Sequence, residues 1–324
     1  MGADKSNNKL EKENSNFNSS EPRAYKRERQ KGERWDGYKV KSILPFHKLI
    51  PYLMKSRVGA TNYFEATYEV DNLVEYINKK NEEIKSNNSN ETGENIEKYG
   101  YNQFFIAALV RVLALRPQLN RFVANKTIYQ RHNIVIGYVL KKEFSDEGEE
   151  STTLSTFERD SNIEDVRKIL TKEIKGVKDS SDDEAGDFIE ILMKLPKFLI
   201  SFIIWMFDLC VIIGYMPKSL RKIDVMQSSA FVANLGSIGL KDAPYHHSFH
   251  RGTCSLFVTL GKVRKDFILT KDGINEKYLI NIKLTMDERI ADGYYHVKSL
   301  GLLEDILKNP EQLDERLKEV PIDK

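Results

Sequence analysis

Residues 278 to 293 read Tyr-Leu-Ile-Asn-Ile-Lys-Leu-Thr-Met-Asp-Glu-Arg-Ile-Ala-Asp-Gly, an apolar run that breaks into a charged heptapeptide, Asp287 to Gly293. The run from Tyr278 to Thr285 is β-type and predicts a strand, and Tyr294 to Leu307 predicts a closing helix. Two more β-type runs lie upstream, Ala230 to Leu235 and Ser255 to Leu260, parted by glycine-bearing turns. Further towards the N-terminus, Tyr101 to Arg116 is apolar around most of a helical circumference and is stopped by Pro117, so it should sit in the core. Around it the chain predicts a helix over Pro45 to Ser56 and a strand over Tyr63 to Val70. It also predicts a helix over Leu73 to Lys85, strands at Ile128 to Tyr129 and Asn133 to Leu140, and a helix over Ile163 to Lys175 that Gly176 could end. Strands alternating with helices, with few short hairpins, argue for an α/β or α+β sandwich.

The 324 residues hold 50 Lys plus Arg against 48 Asp plus Glu, a net charge of +2, so bulk electrostatics give no reason to expect nucleic acid as a partner. Hydrophobic residues make up 40% and charged residues 30%, which excludes collagen-like, wholly disordered and multi-span membrane chains. Only Cys210 and Cys254 occur, each in an apolar run, so neither a disulfide framework nor a cysteine-rich zinc site is expected. Residues 1 to 36 are dominated by Asn, Ser, Glu, Lys and Arg and should form a solvated tail. They carry no apolar signal region, so a cytoplasmic location is expected. Gly2 and Ser6 match the loose myristoylation pattern, which alone implies weak anchoring. Residues 86 to 95, 146 to 150 and 179 to 188 are expected as polar or acidic loops, and 311 to 324 as a polar tail.

Phe198 to Met216 is the compositional outlier, with a single charge at Asp208 and basic residues on both sides. It is just long enough to span a bilayer, but Asp208 near its middle would cost about 2.5 to 3.5 kcal/mol there. The segment therefore reads as a buried or interfacial helix, with membrane contact through 198 to 216 left open.

The heptapeptide Asp287 to Gly293 resembles the D-H-R-x-x-D-G motif of the dihydrolipoamide acyltransferase catalytic domain, the acyltransferase of 2-oxo acid dehydrogenase complexes. Phe231 to Gly239 (FVANLGSIG) resembles that family's F-T-I-S-N-L-G-x-x-G strand and turn, and Phe257 to Lys262 resembles its later strand. Order and approximate spacing agree, and the N-terminal half, with a helix ending at Lys55-Ser56 and a second helix running from Asn102 to Pro117 and Asn120, is similar to the same domain. The resemblance implies a chloramphenicol acetyltransferase-like fold, an α/β (α+β) two-layer sandwich with a mixed sheet and helices on one side. The acyltransferase-like domain would cover residues 37 to 310.

The resemblance further implies coenzyme A, as an acyl-coenzyme A substrate, and a homotrimer or a multiple of trimers whose sites are shared between subunits. In the family a histidine opens the H-x-x-x-D-G stretch and removes the acceptor proton; here that position is Glu288. An ordinary glutamate titrates near 4.3 and is a poor base for a thiol unless burial or a neighbouring carboxylate raises it. Asp292 is the family aspartate that organises the loop through a cationic partner. The hydroxyl that would stabilise the oxyanion falls at Ala233, which cannot donate. Thr259 matches a threonine that orders the transition state, and Lys262 is implied as a contact for a coenzyme A phosphate; an ordinary strand residue and a solvated lysine are the plain alternatives.

With both central positions changed, either the site was rebuilt or catalysis was lost. Tyr245-His246-His247-Ser248-Phe249-His250 holds three of the six histidines, and His247 could assist as the base. No cysteine or carboxylate clusters beside them, which argues against a metal. Structural roles stand equally for these histidines, and His47, His132 and His296 read as structural. The sequence therefore leaves two functions, a coenzyme A-dependent acyltransferase using Glu288, Asp292, His247 and Thr259, or an inactive trimeric scaffold or ligand-binding descendant of that fold. The first 36 residues leave no room for a lipoyl domain or a subunit-binding domain, so no lipoyl attachment site is expected.

Overall fold

The computed structural model describes residues 29–88, 98–141, 150–179, 184–221, 224–271, 273–321 and 323. Most of the expected N-terminal tail, residues 1 to 28, lies outside these, as do much of the polar loop at 86 to 95 and of the acidic stretch at 146 to 150.

The strands are β1 (Gly37–Lys39), β2 (Thr61–Glu69), β3 (Arg121–Ala124), β4 (Thr127–Arg131), β5 (Ile134–Lys141), β6 (Glu150–Phe157), β7 (Ala230–Asn234), β8 (Leu256–Leu260), β9 (Arg264–Thr270) and β10 (Gly273–Asp287). The α-helices are α1 (Pro45–Leu53), α2 (Asp71–Asn88), α3 (Tyr101–Leu115), α4 (Ile163–Asp179), α5 (Glu184–Met193), α6 (Lys197–Ile213) and α7 (Gly293–Lys308). The main sheet has the order β2-β10-β8-β7-β5-β6, with β9 pairing the outer part of β10, and a small sheet has the order β1-β4-β3. In the main sheet β5 with β7 and β7 with β8 run parallel and the other pairs antiparallel, so it is a mixed sheet.

Pleating sends alternate residues to opposite faces. Ile280, Ile282, Leu284 and Met286 of β10, with Leu256, Val258 and Leu260 of β8, point into the main core. There they meet α3, buried from Gln103 to Ala114, together with the apolar faces of α2, α4 and α7. These helices cover one side of the sheet. The opposite face carries a smaller cluster of Phe231, Phe257, Val225 and Cys254. It is crossed by the chain between β7 and β8.

Among the segments that differ from the sequence expectation, four shape the body of the fold. The helix over Ile163 passes through Gly176 to Asp179, because a Cβ there meets only open space and one mid-helix glycine costs only about 1 kcal/mol. Residues 184 to 188, expected in a loop, open α5, whose Phe188 packs against Phe207 of α6 with ring centroids 6.2 Å apart. The residues after Pro310 are polar but held on the body. Leu313 is fully buried, Arg111 of α3 donates to the carbonyls of Gln312 and Glu315, and Arg121 pairs with Asp323. Within 29 to 36, Arg34 and Asp36 form a buried bidentate pair, and Arg34 also donates to Val211 O at the end of α6.

Candidate functional site

Strand register lays the chemistry out in rows on the face opposite the helices. Ala233 of β7, Thr259 of β8, Lys283 of β10 and Glu65 of β2 form one row. Phe231, Phe257, Thr285 and Tyr63 form the next. Asp287 pairs with Thr61 in the third, its backbone N–H donating to Ser255 O.

The third row carries the charged turn. The Asp287 carboxylate is fully buried and accepts two hydrogen bonds from the Arg289 guanidinium, at 2.8 and 2.7 Å, and one from the Arg289 backbone N–H at 3.1 Å, with Arg57 Nε 3.9 Å from Oδ2. Burial pulls the Arg57 guanidinium below its ordinary range while Asp287 pulls it back. Arg57 also donates to the carbonyls of Phe249, Arg251 and Gly252, so one arginine ties the turn to the histidine-bearing segment. Arg121 donates to Ile290 O inside the turn. Removing one partner of such a buried group typically costs about 3 to 5 kcal/mol, because a desolvated charge is left uncompensated.

Glu288 is half-buried on this turn. Its backbone N–H donates to Ala60 O, and its carboxylate has no hydrogen bond or ion pair among the described residues. Asp292 is exposed and caps α7 by accepting from Tyr295 N at 2.7 Å. Its observed partner is thus a helix N-terminus, the favoured seat for such an acceptor, and no cationic partner is present among the described residues.

The segment from Pro244 to Ser248 is pinned to the sheet by three threonines on three neighbouring strands. Thr259 donates to Pro244 O at 2.7 Å, Thr285 donates to His246 O at 2.6 Å, and Thr61 shares a 2.6 Å hydrogen bond with Ser248. The His246 ring stacks on Phe257 with centroids 5.1 Å apart, directly over the second row. Its Nδ1 lies 2.8 Å from His247 O; a carbonyl can only accept, so Nδ1 carries the proton and Nε2 keeps its lone pair. Burial lowers the His246 pKa, which favours that neutral form. His247 is exposed, stacked on His246 and tilted against Phe249, and no hydrogen bond or ion pair joins it to Glu288 among the described residues. His250 is exposed. Among the described residues, no group of three or more His, Cys, Asp or Glu side chains is close enough to hold a metal ion.

Lys262 is exposed in the turn after β8, its backbone N–H donating to Leu240 O. Here two turns touch: a Cβ on Gly236 would meet Gly261 O at 2.5 Å, and one on Gly261 would meet Lys241 O at 2.2 Å, so only glycine fits at either. The Asn-Leu-Gly turn and the Lys262 turn are thereby held together at one end of the first row.

Sequence reasoning missed Arg57, Arg121 and the role of Asp287. Asp287 stood inside the quoted motif, but its burial depends on β2 pairing that no local pattern announces. Two surface clefts, one beside Lys48, Tyr52 and Lys126 and one beside Tyr76, Lys79 and Pro310, are lined by none of these residues.

No protein-family model matches the chain, and no curated protein matches it in sequence. Solved structures do match in fold. A probable dihydrolipoamide acetyltransferase from Listeria monocytogenes aligns with a TM-score of 0.54 at 17% identity, over 84% of this chain and 95% of that one. The dihydrolipoamide acetyltransferase of Azotobacter vinelandii aligns with a TM-score of 0.54 at 9% identity, over 85% of this chain and 94% of that one. The cubic core of a pyruvate dehydrogenase multienzyme complex gives the same TM-score of 0.54, identity of 9% and coverage of 85% and 94%. The chain has the acyltransferase-like fold of these catalytic cores, a mixed sheet layered with helices, and the resemblance carried by its motifs extends to its architecture.

Proposed function

We propose that the chain transfers an acyl group between coenzyme A and a small acceptor, at a site shared by neighbouring copies in a trimer. The observation that carries this reading is the turn at the end of β10. Its backbone is fixed by the buried Arg57–Asp287–Arg289 group and by the Asp292 cap, while the Glu288 carboxylate is left without a partner. A base must be positioned and also free to take a proton.

In the forward direction Glu288 takes the proton from the acceptor as its heteroatom bonds to the acyl carbon. The carbon–sulfur bond then breaks, and the proton passes to the departing thiolate. Lys262, exposed and without an ion pair among the described residues, suits a coenzyme A phosphate. Thr259 supplies order through Pro244, and the imidazoles of His246 and His247, the former stacked on Phe257, are alternative bases on the same sheet face.

The sheet register is compatible with a site shared between copies. Ala233 and Asp287 are two strands and four residues apart, about 16 Å across the sheet, and the row between them lies under His246. An atom within about 3 Å of one position cannot be within reach of the other in the same chain.

Incubation with acetyl-coenzyme A and a panel of amine, hydroxyl and thiol acceptors, following free thiol release, tests the reading. Glu288→Gln is expected to lower kcat by a factor of about 100 to 10,000, the usual range for a general base. Turnover that survives Glu288→Gln but not His247→Ala moves the base to the histidine segment. The second reading, a non-catalytic scaffold, is favoured by the Ala233 methyl group and by the commitment of the Thr259 hydroxyl to Pro244. Absence of thiol release with every acceptor, together with no coenzyme A binding by calorimetry, would establish it.

A further inference from the structure

The helix α6 is apolar on all sides, yet only one side meets protein. Phe207 and Val211 are buried, and with Ile203, Ile204 and Cys210 they pack on Trp35, Phe188, Met216 and Leu220. Phe198, Phe202, Trp205, Met206, Leu209, Ile212 and Ile213 face outward, with Phe198 75%, Trp205 59% and Ile213 67% exposed. Their offsets of 4, 7, 8, 11, 14 and 15 from Phe198 are those of one continuous helical stripe. Ile191 and Met193 ahead of the helix and Tyr215 behind it are exposed as well.

Charge says what fits this stripe. Lys194 and Lys197 stand before it and Lys218 after it, all exposed, and neither Lys197 nor Lys218 has an ion pair among the described residues. The one acid within the helix, Asp208, is paired with Arg251 at 3.2 Å. A second copy laid along the stripe, parallel or antiparallel, would set lysines against lysines at both ends. An anionic surface satisfies both ends at once. The helix has 17 residues, about 26 Å of rise against a hydrocarbon core of about 30 Å, and no helix among the described residues is long and apolar enough to cross a membrane.

We propose that α6 lies flat in the interface of a lipid bilayer rich in anionic headgroups. The outward stripe, Trp205 included, enters the acyl boundary, Tyr215 sits at headgroup level, and Lys194, Lys197 and Lys218 contact phosphates. The inward stripe and the Asp208–Arg251 pair hold the helix on the body, so the folded part rests on the membrane surface. The inference goes beyond acyl transfer and stands whether or not that reaction occurs.

Vesicle flotation tests it, using phosphatidylcholine alone and phosphatidylcholine mixed with phosphatidylglycerol. The protein is expected to float with the anionic vesicles, with Trp205 emission shifted to the blue and quenched by brominated lipid. Phe202→Glu with Trp205→Glu should cut the bound fraction at least about tenfold while leaving Tm and gel-filtration mass unchanged, since both side chains project into solvent. Lys197→Glu with Lys218→Glu should reduce binding to the anionic vesicles only. Protein that stays at the bottom of the gradient with both vesicle types overturns the proposal. So does a change of oligomeric mass in Phe202→Glu with Trp205→Glu, which would make the stripe a contact between copies. Equal flotation with neutral vesicles overturns the assignment to anionic headgroups.

Discussion

His296, one turn into α7, is fully buried, and both of its ring nitrogens lack a hydrogen-bond partner. It stands edge-on to Phe64 of β2 with centroids 5.6 Å apart, and burial pushes its pKa down to about 4, against weaker opposing pulls from Asp292 and Asp287. An imidazole in an unfolded chain titrates near 6.5. As pH falls through about 6.5, the unfolded state gains a proton that the folded state refuses, so stability present at neutral pH is lost on the way down to about 4. Urea unfolding should therefore show a slope approaching about 1.4 kcal/mol per pH unit across that window, and His296→Met should flatten it. An unchanged slope would mean that some other group dominates. The same residue marks what sequence can and cannot say: its position after Asp292 was plain, but full burial without partners follows from β2 lying beneath α7.

At the scale of elements, the central helix α3, the closing helix α7 and strands β7, β8 and β10 were legible because each combines a strong period with a clear stop, such as Pro117 or the Asp292 cap. The strand β6 was not, since its Ser and Thr residues carry few large apolar side chains and it exists through pairing with β5. The candidate site was half legible: Glu288, Asp292 and Thr259 could be read from motif order, whereas the clamp built by Arg57 depends on three distant carbonyls. The histidine segment owes its place to paired threonines, and that dependence can be measured. Thr285→Val leaves His246 O without its donor, at a cost of about 1 to 3 kcal/mol. Hydrogen exchange should quicken over residues 244 to 249 in Thr285→Val and in Thr259→Val alike, with α3 amides unaffected. If Thr259 serves only to hold the segment, the two variants should lower kcat equally; a larger loss in Thr259→Val alone would assign its hydroxyl a part in the chemistry.

For the whole molecule, the layout of rows makes a prediction that no single chain can satisfy. If one protomer supplies the Glu288 turn and its neighbour supplies the end of β7 at Ala233, each trimer holds three sites, every one built from two different chains. Glu288→Gln removes the proton acceptor from one half-site. Ala233→Trp fills the other half-site with a ring, on a half-buried position beside the Gly236–Gly261 contact. Each variant alone should be inactive as a homotrimer. When equal amounts are unfolded together and refolded, a given site is intact only if its turn comes from the Ala233→Trp chain and its strand end from the Glu288→Gln chain. With random assembly that happens at about one site in four, so the mixture should regain about a quarter of the native rate. If both halves of the site belonged to the same chain, every chain in the mixture would carry one disabling change and no activity would return. Sedimentation of the mixture as trimers, with rate recovery that depends on mixing before folding rather than after, separates assembly at the interface from contamination by native protein. The outcome turns on the roughly 16 Å of sheet between Ala233 and Asp287, which under the shared-site reading puts the two half-sites on different chains.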